Sequence, residues 1–207
     1  MNIVNALLAA NVNADAFYYG GTALIASARA GHADCVKLLL EAASDVEAQC
    51  WLGEETALIV SSRSGRADCV KILLEAASDV ELRNWFGQTA LFVSANAGHA
   101  YCVKLLLEAS SGVKQGNYNE ETALVVSAKA GHADCVKLLL EAASDVKEQC
   151  WRNNETALYV SANAGHADCV KLLLEADSDV KHVNYMGETA LFASAESGHS
   201  DCIKLLL

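Results

Sequence analysis

The sequence predicts an all-α helical solenoid, and three observations carry that prediction. The stretch Gly31–Val46, GHADCVKLLLEAASDV, returns letter for letter as Gly131–Val146. Close variants sit at Gly65–Val80, Gly98–Val113 and Gly165–Val180, with a truncated copy at Gly198–Leu207. A Thr-Ala-Leu run precedes each copy, at Thr22, Thr56, Thr89, Thr122, Thr156 and Thr189, in steps of 34, 33, 33, 34 and 33 residues. Each period contains two helical patterns and the chain has no proline. A fixed period of this size with a two-helix pattern means stacked units that bury a core only against their neighbours.

Within one period, Thr22–Gly31 (TALIASARAG) opens on a residue suited to an N-cap, because its hydroxyl can accept from an otherwise orphaned backbone N–H. Gly31 stops it, which predicts a helix of about nine residues, rich in Ala and Ser so that neighbours approach closely. The second helix starts near His32. Asp34, Lys37 and Glu41 recur at spacings of three and four and form one solvated ridge. Cys35, Val36, Leu38, Leu39 and Leu40 make a broad apolar face that needs partners on two sides. Neither helix holds alone, since isolated helices shorter than ~12–15 residues are marginal.

A loop then leads to the next threonine. Glu81–Gln88 (ELRNWFGQ) places Asn and Gly where a tight turn wants them. Glu47–Glu55 (EAQCWLGEE) and Lys147–Glu155 (KEQCWRNNE) are one residue longer and resemble each other. NWFGQTAL at Asn84–Leu91 likewise mirrors NYMGETAL at Asn184–Leu191, so a triplet of repeats is duplicated along the chain. The near-identical framework suits an engineered consensus chain and a recently duplicated natural one equally. The expected organisation is one elongated domain over 1–207. Residues 1–16 carry a helix that covers the first layer, and repeats follow at about 17–49, 50–83, 84–116, 117–149, 150–183 and 184–207, the last truncated.

Composition narrows the partners. A formal net charge of −11, with dispersed basic residues, argues against duplex nucleic acid or an anionic membrane surface. No apolar segment approaches the ~20 residues needed to span a bilayer. MNIVNALLAA lacks the positive start of a secretory signal. Cys35, Cys69, Cys102, Cys135, Cys169 and Cys202 occupy one position in successive repeats. Stacked helices lie ~8–10 Å apart, beyond the ~7 Å reach of a disulfide, which predicts free, buried thiols. Cys50 and Cys150 lie three repeats apart and cannot meet. Free thiols and the lack of a signal place the chain inside the cell, in the cytoplasm.

The run Asp79-Val80, Asn84, Gly87, Thr89-Ala90-Leu91, Ser94-Ala95, Gly98-His99 resembles the ankyrin repeat signature, and the likeness covers nearly all of 17–207. The resemblance implies paired antiparallel helices stacked side by side, with β-hairpin-like loops projecting at right angles. It also implies a protein-binding scaffold that is not an enzyme and carries no cofactor. Three positions depart from the family pattern. Its proline is Ala in every copy, and the histidine after it is Ile25, Ile59, Phe92, Val125, Tyr159 or Phe192. The glycine that ends the second helix is Ala43, Ala77, Ser110, Ala143 or Asp177. A left-handed conformation at such a residue costs ~1–2 kcal/mol, so either the strain is accepted or the helix ends differently.

His32/Cys35 and its copies at His99/Cys102, His132/Cys135, His166/Cys169 and His199/Cys202 have metal-ligand residue types. Pairs strung along a stack do not converge on one tetrahedral ion, and Arg66 replaces the histidine in the second repeat. The expected role is a histidine bonding loop backbone beside a core cysteine. The loop tips differ, because the framework stays constant while they keep an aromatic and vary its neighbour. They carry Tyr18/Tyr19, Trp51/Leu52, Trp85/Phe86, Tyr118/Asn119, Trp151/Arg152 and Tyr185/Met186. Such aromatics supply hot-spot energy at interfaces or lie flat on a neighbouring loop. By resemblance, the outer face of the first helix joins them in a concave binding surface, adding Arg29, Arg63, Asn96, Lys129, Asn163 and Glu196. The expected partner is another protein, with no nucleic acid and no membrane. Self-association through the repeat ends is the alternative, because the last copy lacks a polar capping repeat.

Overall fold

A computed structural model describes residues 15–16, 20–142, 145, 149–150 and 153–207, the pair 149–150 by backbone alone. Each Thr-Ala-Leu run opens a helix. The first helices of the repeats are α1 (Ala23–Ala30), α3 (Ala57–Arg63), α5 (Ala90–Asn96), α7 (Ala123–Lys129), α9 (Ala157–Asn163) and α11 (Ala190–Glu196). The second helices are α2 (Ala33–Glu41), α4 (Ala67–Glu75), α6 (Ala100–Glu108), α8 (Ala133–Glu141), α10 (Ala167–Glu175) and α12 (Ser200–Leu206). In all six first helices the threonine hydroxyl accepts from the backbone N–H three residues on, at 3.2–3.4 Å. The expected capping helix at 1–16 falls outside the described residues, apart from Asp15 and Ala16.

The first helices stack on one another in chain order, and the second helices form a parallel row outside them. This makes the ankyrin-type solenoid. In α3, α5, α7 and α9 every residue but the last is buried. That burial matches their composition, apolar all round and broken only by serine. Ser61, Ser94, Ser127 and Ser161 are satisfied locally, as where Ser61 Oγ donates to the Leu58 carbonyl at 3.1 Å, whereas the buried Ser62 hydroxyl has no partner. The second helices are two-faced: Cys69, Val70 and Leu73 are buried, while Asp68, Lys71 and Glu75 stand in solvent.

One expectation about the cysteines needs correction. Cys69, Cys102, Cys135, Cys169 and Cys202 are buried, but Cys35 is exposed. Cys202 in the sixth repeat is buried beside Cys169 of the fifth. Burial pushes the Cys102, Cys135 and Cys169 thiols up to about 11, which keeps them protonated and unreactive.

The second helix ends by accepting strain rather than by changing its turn. Ala43, Ala77, Ser110 and Asp177 all adopt left-handed φ, between 59° and 66°. At Ala43 the N–H donates to Leu40 and the next N–H, of Ser44, donates to Leu39. These are the two bonds of a Schellman turn. Ala143 falls outside the described residues.

Candidate binding surface

In the 33-residue repeats one asparagine holds each loop. Asn84 Oδ1 accepts from the N–H groups of Phe86 and Gln88, both at 3.0 Å, and its Nδ2 donates to Gln88 Oε1. Asn117 and Asn184 repeat the clip, each donating to the glutamate four residues on, Glu121 or Glu188. A left-handed residue closes the turn, at Gly87, Glu120 or Gly187. With its backbone so fixed, the residue after the asparagine points away from the stack.

In the longer loops a cysteine takes that place. Cys50 is buried and its Sγ donates to the Leu52 carbonyl. The corresponding loop in the fifth repeat contains the one regular ladder among the described residues. There β1 (Gln149–Cys150) runs antiparallel to β2 (Glu155–Thr156), with Cys150 opposite Glu155.

Neighbouring loops are bonded through their backbones. Trp85 N–H donates to the Gly53 carbonyl at 2.9 Å, Tyr118 to Phe86 at 3.3 Å, and Tyr185 to Asn153 at 3.0 Å. The tips of the second to fourth repeats are therefore joined in one row, and those of the fifth and sixth in another pair. At these tips Trp51 is 76% exposed, Trp85 54%, Tyr118 72% and Tyr185 72%. Leu52, Phe86 and Met186 beside them are exposed as well. Tyr118 also leans on the preceding loop, since a Cβ added at Gly87 would lie 2.8 Å from its ring. One ring can thus support the stack and still offer a face to solvent. Tyr18, Tyr19, Trp151 and Arg152 fall outside the described residues.

The helix-end candidates Arg29, Arg63, Asn96, Lys129, Asn163 and Glu196 are all exposed, one per repeat. Two of them tie back to the loops. Arg63 pairs with Glu55 and reaches Gln88 Oε1 of the next repeat at 3.4 Å; Lys129 lies 3.6 Å from Glu121. Sequence reasoning missed a further group on this side. The Tyr159 hydroxyl donates to Glu188 Oε2 at 2.7 Å, and Asn184 donates to the same oxygen at 2.8 Å. These bonds hold the Glu188 carboxyl below its usual range. Desolvation first, and then the carboxylate beside it, drives the Tyr159 phenol upward. The signal was the tyrosine standing where other repeats have Ile, Val or Phe.

The histidines do something more specific than bond a loop. His99 Nε2 lies 3.1 Å from the carbonyl of Arg63, the last residue of α3 in the preceding repeat. His132 reaches Asn96 at 3.2 Å and His199 reaches Asn163 at 3.1 Å. A carbonyl only accepts, so Nε2 carries the proton. Each ring thereby satisfies one carbonyl that a helix end leaves orphaned. Arg66 substitutes for the histidine, donating its Nε to the Arg29 carbonyl at 3.4 Å. Among the described residues no cluster of three or more His, Cys, Asp or Glu could hold a metal, and no helix is long and apolar enough to cross a membrane.

A stack of capped helix pairs presenting variable loops bonded to their neighbours is a repeat scaffold. A family model described as ankyrin repeats (3 copies) matches residues 1–84, 77–150 and 142–207. The chain belongs to the ankyrin repeat family, whose members generally serve as non-catalytic protein–protein interaction modules. Comparison with curated proteins returned no match.

Proposed function

We propose that this protein captures a partner protein on the surface formed by its loop tips and the last turns of its first helices. The observation that supports this reading is the exposure of Trp51, Trp85, Tyr118 and Tyr185 at equivalent loop tips, with Leu52, Phe86 and Met186 exposed beside them. Water-exposed aromatics held on backbone-bonded loops lose little conformational freedom when they make contact, so they suit hot spots. The exposed residues Arg29, Asn96, Asn163 and Glu196 flank them and set orientation.

The test replaces Trp51, Trp85 and Tyr118 by Ala together. Far-UV circular dichroism is expected to stay unchanged, because these side chains are mostly in solvent. Partner capture from a lysate, followed by mass spectrometry, is expected to drop at least about tenfold for the partners that bind this surface. Capture undiminished in a folded triple variant would overturn the reading.

A further inference from the structure

We infer that the segment received by this surface is extended and cationic, with Arg or Lys at every third residue. The inference rests on the reading above and deepens it. Its first support is spacing. Each loop runs out and back, and successive loops are joined by the backbone bonds Gly53–Trp85, Phe86–Tyr118 and Asn153–Tyr185. Equivalent tips therefore repeat at about two strand separations, ~9.5 Å. A polyproline-II chain completes a turn in three residues, ~9.3 Å. Every third side chain of such a segment thus meets the next aromatic tip, and aromatic-lined grooves are the surfaces that take this conformation.

The second support is charge. Glutamates outnumber cations along the tips and adjoining helix ends. Arg63 and Lys129 are already engaged with Glu55 and Glu121. Among the described residues Glu54, Glu120, Glu155, Glu188 and Glu196 remain, against Arg29. Glu54, Glu120 and Glu196 are exposed, and the hydrogen bonds to Glu188 keep it ionised. An anionic segment would meet repulsion. A neutral one would leave the carboxylates uncompensated on contact. A guanidinium or ammonium over a tip ring has both an aromatic face and a carboxylate within reach, and cation–π contact favours it.

The probes are capped synthetic peptides, (Arg-Pro-Pro)5, (Arg-Pro)5, (Arg-Pro-Pro-Pro)5 and (Glu-Pro-Pro)5. Binding is followed by tryptophan fluorescence and calorimetry at physiological salt. The three-residue spacing is expected to bind at least about tenfold tighter than the other two arginine peptides, which carry the same charge out of register. The glutamate peptide is expected not to bind. Trp51→Ala with Trp85→Ala is expected to remove most of that preference, and Glu120→Gln with Glu188→Gln to weaken binding several-fold. Equal affinity for all three arginine peptides, or binding by none, overturns the proposal. Suppose the peptides fail while the aromatic triple variant still loses its protein partner: the cationic assignment alone falls. Where capture survives that variant, the surface reading falls and takes the cationic assignment with it.

Discussion

In the first, second, third and fifth repeats both helices end with the same backbone turn, yet the two ends use different residues. At the end of the first helix the left-handed position is glycine, as at Gly65, Gly98 and Gly131, with φ from 67° to 78°. At the end of the second it is Ala43, Ala77, Ser110 or Asp177, at nearly the same φ. Backbone geometry therefore does not dictate glycine here. What dictates it at Gly65, Gly98 and Gly131 is the next layer. A Cβ built on Gly65 would lie 2.6 Å from Nδ1 of His99, and Gly98 and Gly131 meet His132 and His166 at the same distance. The residue that follows the turn differs in step. After the glycine comes a histidine or Arg66, whose side chain bonds the layer before. After the strained alanine comes Ser44 or Ser78, whose hydroxyl is buried without a hydrogen-bond partner. At the first end a side chain makes the junction with the layer before; at the second it falls to the backbone N–H one residue past the serine, as where Asp79 donates to Glu47 Oε1 at 2.7 Å.

The strongest way to break this contrast is Gly98→Ala. It adds left-handed strain of ~1–2 kcal/mol and displaces the His132 ring from its carbonyl, worth ~0.5–1.5 kcal/mol. Urea unfolding should show a loss of about 2–3 kcal/mol. His132→Ala comes next. It leaves the Asn96 carbonyl unpaired and opens space over Gly98, for an expected loss of about 1–2 kcal/mol. In that background Gly98→Ala should cost less than in the parent, and a double-mutant cycle measures the coupling. A strictly additive cycle would mean that the ring is not what enforces glycine.

At the other end the sign reverses. Ala77→Gly relieves strain of ~1–2 kcal/mol but loses ~0.5–1 kcal/mol to the entropy of glycine in the unfolded chain. A net gain of up to ~1.5 kcal/mol is expected, read in the same unfolding experiment. The smallest effect is Ser78→Ala, which removes a buried hydroxyl with no partner and should leave stability unchanged or raised by ~0.5 kcal/mol. A clear loss there would show that the hydroxyl is satisfied in solution.

Much of the architecture was legible because its causes are local. Thr22 and its copies cap the N–H three residues on, Asn84 clips atoms two and four residues on, and the apolar periods lie within single helices. The αL residues were legible as a question: Ala43 and Ala77 marked a strain that only the backbone could resolve. The histidine partners were not legible, since His99 and the Arg63 carbonyl lie 36 residues apart. A His-x-x-Cys spacing describes only what sits on the histidine's own helix. Cys35 misled as well: its surroundings match those of Cys135 letter for letter, yet one thiol is exposed and the other buried. At the candidate surface, the aromatic tips were visible as variation on a constant frame. The Tyr159–Glu188 pair was hidden because its members belong to consecutive repeats.

The directionality of the histidine bond sets rules for how such an array changes in length. In the bonds observed, the donor comes from the later unit and the carbonyl from the earlier one, and Arg66 shows that the donor can be replaced. A whole unit can therefore be inserted or excised by unequal recombination without creating an unfamiliar seam. Gains and losses of a fraction of a unit would put a donor opposite no acceptor, which favours evolution of this chain in integral steps.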